Sequence, residues 1–316
     1  SLTNKKNRSL ISYFLTAVVL IALIYYIYQN FSKIRDYDFV FNWNYTILAF
    51  FAGLSGYITM FMVWRKLASS FGLHSPLIRS AKAYFMSQLG KYVPGKIGLV
   101  LVRLDAYRGY SRKKVALATG VEYVASFIAA CLIILSATLI GGEELPPYLK
   151  WFASALLVLF LVSLWPPFLK KISNILFRII RKKPIDTVPS FKSIIVYVLG
   201  YVLVGLFYGL CLYLVLNSLS PIDIRYYFVV TGTFRAASLI GIAAFFAPSG
   251  IGIREGILML VLTAFIPEPT VIVGAILVRF VLIGSELSLT GLFMVLARYA
   301  EKERVRGSDI PSENDM

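Results

Sequence analysis

The stretch IIVYVLGYVLVGLFYGLCLYLVL, residues 194–216, runs for 23 residues without a charged side chain. A helix needs about 20 mainly apolar residues to cross the hydrocarbon core of a bilayer, so the stretch predicts a transmembrane helix. It is too long for a strand of a membrane β-barrel, which takes about 10 residues of alternating polarity. The sequence therefore predicts an all-α membrane protein.

Five further runs are long and mainly apolar: residues 11–28, 45–64, 115–140, 149–168 and 271–296. The whole chain has 58% hydrophobic and 15% charged residues and a mean hydropathy of +0.75. A soluble domain has about 25% charged residues. We therefore expect six full spans in a single polytopic membrane domain, residues 1–316, that ends in a polar tail at residues 299–316.

Two more regions, residues 80–107 and 226–265, are apolar but contain charged residues and a glycine-rich break. The breaks read Pro94-Gly95-Lys96-Ile97-Gly98 and Pro248-Ser249-Gly250-Ile251-Gly252. Such backbone is tolerated at membrane depth only where protein shields it or water reaches it. Each region predicts a helix, a break and a second helix, as a re-entrant hairpin or a pair of short helices that returns to the side it entered.

The net charge of +16 is spread over loops between the apolar runs, which argues against a nucleic-acid-binding domain. Lys and Arg collect at the N-terminus, after span two, before span three, at residues 170–192 and at the C-terminus. Six spans with two returning hairpins place all these segments on one side, as the positive-inside rule requires of the cytoplasm. We expect a cell-membrane protein with both termini in the cytoplasm.

The same count exposes an internal repeat. Each half, about residues 10–140 and 149–298, runs span, span, broken hairpin, span. The first half starts inside and the second starts outside, so the halves have opposite orientations. Inverted repeats of this kind are common in secondary transporters.

Ionisable residues inside a bilayer cost about 2.5–3.5 kcal/mol each, so they need partners or water. Here they lie around the two breaks and in the spans that follow. The candidate substrate-binding residues are Lys96, Arg103, Glu122, Arg235, Arg254, Glu255, Arg279 and Glu286, and the breaks contribute Pro94, Gly95, Gly98, Pro248, Gly250 and Gly252.

A functional interpretation brings the two hairpin tips together in a polar cavity at the midplane. Arginines, Lys96 and free backbone N–H groups of the helices after Gly98 and Gly252 would then bind an anion such as phosphate. The glutamates would balance the charge of the empty cavity. The structural alternative is that the same residues form buried ion pairs, or that Arg103 extends to lipid headgroups.

The tryptophans, glycines and cysteines are assigned to the membrane–water interface and to helix packing. Trp residues near predicted span ends are typical of interfacial aromatic belts, and this applies to Trp43, Trp64, Trp151 and Trp165. The glycines within residues 200–209 and 284–291 favour close helix packing. Cys131 and Cys211 lie in apolar runs and are expected to be buried free thiols.

Metal and cofactor chemistry finds little support in the sequence. His74 is the only histidine and no CxxC motif is present, so a zinc site or a histidine-based triad is not expected. There is no GxxxxGK[ST] loop for ATP. We predict no metal and no cofactor.

Two segments resemble the signatures of a membrane family. Residues 89–103 contain the first break and Arg103, and residues 247–256 read APSGIGIREG. Both resemble the lysylphosphatidylglycerol synthase transmembrane region, also called the flippase-like family, which includes the membrane half of multiple peptide resistance factors. The usual second signature is Pro-Gly-Gly-Leu-Gly-x-Arg-Glu; Ser249 and Ile251 depart from it, whereas Arg254 and Glu255 are retained.

The resemblance implies a lipid or lipid-linked substrate that moves between leaflets. We expect a flippase or transporter that binds an anionic phospholipid or a polyprenyl phosphate. Because the sequence ends soon after its last predicted span, no soluble synthase domain and no aminoacyl transfer are expected. Two alternatives stay open: a lipid-modifying transferase or phosphatase, and an anchor for a separate synthase or glycosyltransferase. Homo-oligomerisation is also left open.

Overall fold

A computed structural model describes Tyr28 and residues 35–90, 98–107, 109–140, 147–165, 167–168, 170–171, 189–243, 250 and 252–308. Regular structure within these residues is helical throughout, which confirms the all-α prediction. The predicted first span, residues 11–28, lies outside them apart from Tyr28. So do Pro94, Gly95, Lys96 and Pro248 of the predicted breaks.

Nine longer α-helices within the described residues are numbered in chain order. They are α1 Trp43–Ser70, α2 Leu77–Leu89, α3 Gly98–Ala106, α4 Arg112–Ile140, α5 Pro147–Leu164, α6 Phe191–Asn217, α7 Tyr227–Ala243, α8 Ile253–Leu262 and α9 Glu268–Ser308. A 3-10 turn, Ile224–Tyr226, precedes α7.

Four of these helices are long and apolar enough to cross a membrane: α1, α4, α6 and the Glu268–Ala300 part of α9. They contain the predicted spans 45–64, 115–140, 194–216 and 271–296, which confirms those spans as helices. The predicted span 149–168 corresponds largely to α5. That helix ends at Leu164, ahead of Pro166 and Pro167, because proline cannot donate the next helical hydrogen bond. The total of six spans stays a prediction.

The surface of α1 is divided into two faces. Gly53, Tyr57, Phe61 and Trp64 repeat at helical spacing on the buried face. On another face, large apolar side chains are exposed: Ile47, Phe51, Ile58 and Met62. A helix with apolar residues on its exposed face is suited to lipid as its solvent.

The two helices α1 and α6 pack against each other in antiparallel directions. At one end the Asn42 N–H donates to Ser218 O at 2.8 Å, and at the other the Tyr197 hydroxyl donates to Lys66 O at 3.5 Å. Glycines permit the close approach, since a Cβ on Gly56 would overlap Tyr208 and a Cβ on Gly200 would overlap Val63. Gly205 and Gly209 face Ile133 and Thr231 in the same way. The predicted packing role of residues 200–209 is therefore confirmed.

Each predicted break is flanked by two helices that pack together and run antiparallel. In the first pair, α2 and α3, Ser80 Oγ and Tyr107 OH lie 2.9 Å apart. In the second pair, α7 and α8, the Tyr226 and Phe265 rings stack at 4.8 Å at the open end. Near the break, Gly250 and Gly252 take φ values of +69° and +81°, a region that favours glycine. The helices predicted on both sides of each break are confirmed, whereas the re-entrant hairpins stay a prediction.

The helix contacts of the two halves match element by element. Exchanging α1 with α6, α2 with α7, α3 with α8 and α4 with α9 converts one set of contacts into the other. The contact of α2 with α9 corresponds to that of α7 with α4. In the same way, α3–α4 corresponds to α8–α9, and α1–α9 corresponds to α6–α4. The antiparallel pair α1 and α6 lies at the centre of this arrangement.

Candidate functional site

Seven of the eight charged candidates lie within the described residues and are largely removed from solvent. The five that are less than one-tenth exposed are Arg103, Glu122, Arg235, Glu255 and Glu286, while Arg254 and Arg279 are half-buried. Lys96 lies outside the described residues. The seven fall into two clusters, one in each half.

The first cluster surrounds Arg103 and joins α2, α3 and α4. Arg103 forms an ion pair with Glu122 of α4. Its Nε donates to Ser87 Oγ and its Nη1 to Thr119 Oγ1, both at 3.3 Å. Nη2 has no hydrogen-bond partner among the residues that the structure describes. The pair therefore ties α3 to α4, the long helix that follows it.

Two aromatic rings enclose the Arg103 guanidinium. Its Cζ lies 3.8 Å from the centroid of the Trp64 ring and 5.0 Å from that of Tyr84, and Tyr84 OH donates to Glu122 at 3.0 Å. A desolvated cation–π contact is worth about 2 kcal/mol. Trp64 and Arg103 are both 0% exposed. The prediction of an interfacial Trp64 is therefore wrong, as is the alternative in which Arg103 extends to headgroups.

The second cluster, called here the arginine cluster, contains Arg235, Arg254 and Arg279 from α7, α8 and α9. Arg279 forms an ion pair with Glu255 and donates to Gly250 O at 3.3 Å. Glu255 also accepts the Gly252 N–H at 2.7 Å and so caps its own helix. The Gly252 N–H is therefore not free to bind an anion.

Arg254 occupies space that two glycines leave open. A Cβ on Gly241 would lie 2.8 Å from Arg254 Cγ, and a Cβ on Gly250 would lie 3.1 Å from Arg254 Nε. That Nε is buried and has no hydrogen-bond partner among the described residues. Arg279 and Arg235 repel the Arg254 charge and Glu255 attracts it, so Arg254 lies within electrostatic range of both other arginines.

Arg235 approaches the cluster from the middle of α7. Its Nη2 lies 3.4 Å from both the carbonyl and the hydroxyl oxygen of Ser126. Its Nε is buried without a partner among the described residues. Gly205 of α6 lies beside this side chain, since a Cβ there would lie 3.4 Å from Arg235 Cδ and Nε. A second guanidinium of the arginine cluster thus retains an unused donor.

Glu286 and two tyrosines complete the interior beside the arginine cluster. Glu286 is 0% exposed and accepts from Tyr57 OH at 3.4 Å. The Tyr57 ring packs edge-on against Tyr208 at 5.4 Å, and Tyr208 interacts electrostatically with both Glu286 and Arg235. Glu286 and Arg235 are therefore linked through Tyr57 of α1 and Tyr208 of α6.

The family comparison covers both clusters. The model for the family described as "Lysylphosphatidylglycerol synthase TM region" matches residues 10–284, which include both breaks and Arg279. The chain belongs to the lysylphosphatidylglycerol synthase transmembrane family. A comparison with curated proteins gives no match. The resemblance of residues 89–103 and 247–256 is confirmed, and with the spanning helices it supports an integral membrane protein.

In this member of the lysylphosphatidylglycerol synthase transmembrane family, an ion pair joins the same two elements in each half, with the charges exchanged. Arg103 of α3 pairs with Glu122 of α4, whereas Glu255 of α8 pairs with Arg279 of α9. In both halves the short helix after the break is therefore fixed to the next long helix. The sequence did not reveal that the two ion pairs correspond, because the paired residues are separated by different numbers of residues in the two halves.

Sequence reasoning missed the aromatic residues of both clusters in this family member. Trp64 and Tyr84 contact Arg103, and Tyr57 and Tyr208 lie beside Glu286. All four stand in apolar stretches that contain many aromatic residues. Their neighbours come from distant helices, so no local spacing marks them.

Proposed function

We propose that this protein moves a phosphate-bearing lipid between the two leaflets and binds its headgroup at the arginine cluster. The observation that carries the proposal is a pair of buried guanidinium donors, Arg235 Nε and Arg254 Nε, that have no partner among the described residues. An unpaired polar group in an apolar interior is costly. A ligand with acceptor oxygens would satisfy both.

The charge balance favours an anion. Arg235, Arg254 and Arg279 supply three positive charges, and Glu255 and Glu286 supply two negative charges, which leaves a net charge of +1 among these five residues. Guanidinium groups match phosphate oxygens in geometry and bind them with charge-assisted hydrogen bonds. A phosphodiester or polyprenyl phosphate headgroup fits this balance.

The arrangement of the halves favours transport. The helix contacts are the same after exchange of the two halves, and the exchanged helices α1 and α6 are antiparallel. Antiparallel counterparts are what an inverted repeat requires, and such repeats move against each other in alternating-access transporters. We infer that the Arg103–Glu122 and Glu255–Arg279 pairs hold each short helix to its long helix during that movement.

Lipid transport provides the direct test. The protein is reconstituted into liposomes with fluorescent phosphatidylglycerol, and movement between leaflets is followed by dithionite quenching. Arg254→Gln leaves the Glu255–Arg279 pair in place, and R254A/R279A removes two of the three cationic groups. One charge-assisted hydrogen bond is worth about 1.5–3 kcal/mol, so each variant should lower the rate by roughly tenfold or more.

The matched control is K170A/K171A, which removes two exposed charges beyond α5. It should transport at the wild-type rate. Gel filtration of all variants shows whether the fold survives. Wild-type rates in well-folded R254Q and R254A/R279A would contradict the proposed headgroup site.

A further inference from the structure

A groove opens between the last turns of α1 and the first turns of α6. It has a volume of about 560 Å³. Arg65 and Lys66 supply cationic groups to its lining, Ser69, Ser70 and Ser193 supply hydroxyl groups, and Met62 and Tyr197 complete it. Because α1 and α6 are antiparallel, these residues lie at one level of the helix pair.

The two cations of the groove have no acidic partner among the described residues. Arg65 and Lys66 are both exposed. At the opposite end of the same helix pair, two exposed cations have acidic partners: Arg35 pairs with Asp36 at 2.8 Å and Arg225 with Asp223 at 3.8 Å. Among these four exposed cations of the described residues, the two without an acidic partner therefore lie at the groove end.

An apolar stripe continues from the groove along the same face of α1. Met62, Ile58 and Phe51 are 50%, 42% and 56% exposed. At a rise of about 1.5 Å per residue, the stripe from Phe51 to Met62 is about 16 Å long. Half of a hydrocarbon core about 30 Å thick is about 15 Å. The stripe thus matches one leaflet in depth, with the cations at its end.

We propose that this groove binds the headgroup of an anionic phospholipid, with an acyl chain lying along the Phe51–Met62 stripe. Cations at the end of an apolar stripe as deep as one leaflet fit a lipid better than a soluble anion. A soluble anion has no acyl chain to contact the stripe. The site shares no residue with the arginine cluster. It holds whether or not the protein transports lipid.

The test uses full-length protein in nanodiscs and a phosphatidylglycerol probe with a diazirine on its acyl chain. After irradiation, mass spectrometry maps the labelled peptides. We expect labelling of the peptide that contains residues 51–62. In R65A/K66A this labelling should fall roughly tenfold, since juxtamembrane basic residues each contribute measurably to anionic-lipid binding. A phosphatidylcholine probe should label this peptide weakly.

Two control variants separate this site from general charge effects and from transport. K170A/K171A removes another exposed basic pair, and Arg254→Gln alters the arginine cluster; both should keep wild-type labelling. Equal labelling by the phosphatidylcholine probe, or unchanged labelling in R65A/K66A, would overturn the proposal. Suppression of labelling by inorganic phosphate would assign the groove to a soluble anion, and suppression by an acidic peptide would assign it to a protein partner. Either result would also overturn it.

Discussion

At the scale of single residues, the Arg103–Glu122 pair shows how a membrane interior holds charge. The pair is buried. Tyr84 donates a hydrogen bond to Glu122, Arg103 donates one to Ser87, and the Trp64 ring lies against the guanidinium. Removal of one partner from a buried ion pair costs about 3–5 kcal/mol, because the other charge stays buried alone. These contacts make the pair a structural element of the first half.

A double-mutant cycle tests that role. R103Q and E122Q should each lower the thermal stability in detergent strongly, and R103Q/E122Q should lower it by less than the sum of the two. The exposed pair Arg35 and Asp36 provides the control, since its side chains are 66% and 62% exposed. R35Q/D36N should change stability by less than about 1 kcal/mol. Additive effects of R103Q and E122Q would show that the two residues do not act as a pair.

At the scale of helices, long apolar runs were predictable because the bilayer fixes the length that a helix must reach. The runs in α1, α4, α6 and α9 were recognised for this reason. The faces by which these helices meet were not predictable, because glycines such as Gly56 and Gly200 mark close approach without indicating the partner. The end of α5 at Leu164, ahead of the predicted residue 168, follows from the two prolines that come next.

The packing of α1 against α6 gives a prediction at this scale. A Cβ on Gly200 would overlap the Val63 side chain, so Gly200→Ala should destabilise the protein by about 1–3 kcal/mol through overpacking. Val63→Ala in the same chain should restore part of the loss. Gly291 has no atom within 4 Å of an added Cβ, so Gly291→Ala is the matched control and should be tolerated. Equal thermal stability of G200A and G291A would contradict the close α1–α6 contact.

At the scale of the whole molecule, the sequence predicted which charged residues lie at membrane depth. It could not predict that they form two separate clusters. The free-energy cost of burying a charge in the bilayer singles out every ionisable residue in an apolar run as a candidate, without grouping them. The structure separates Arg103 and Glu122 from the arginine cluster: Trp64 of α1 contacts Arg103, and Tyr57 of α1 contacts Glu286 beside the arginine cluster. The two positions are seven residues apart, which corresponds to about 10 Å along the helix. Only the tertiary arrangement reveals that Arg235 and Arg254 have unused donors.

The most direct test of the arginine cluster as a headgroup site is an experimental structure in nanodiscs that contain phosphatidylglycerol. We expect density for a phosphate within about 3 Å of the Nε atoms of Arg235 and Arg254, with the Glu255–Arg279 pair beside it. Density in which both Nε atoms donate to protein or water, with phosphatidylglycerol bound only on the outer surface, would contradict the account.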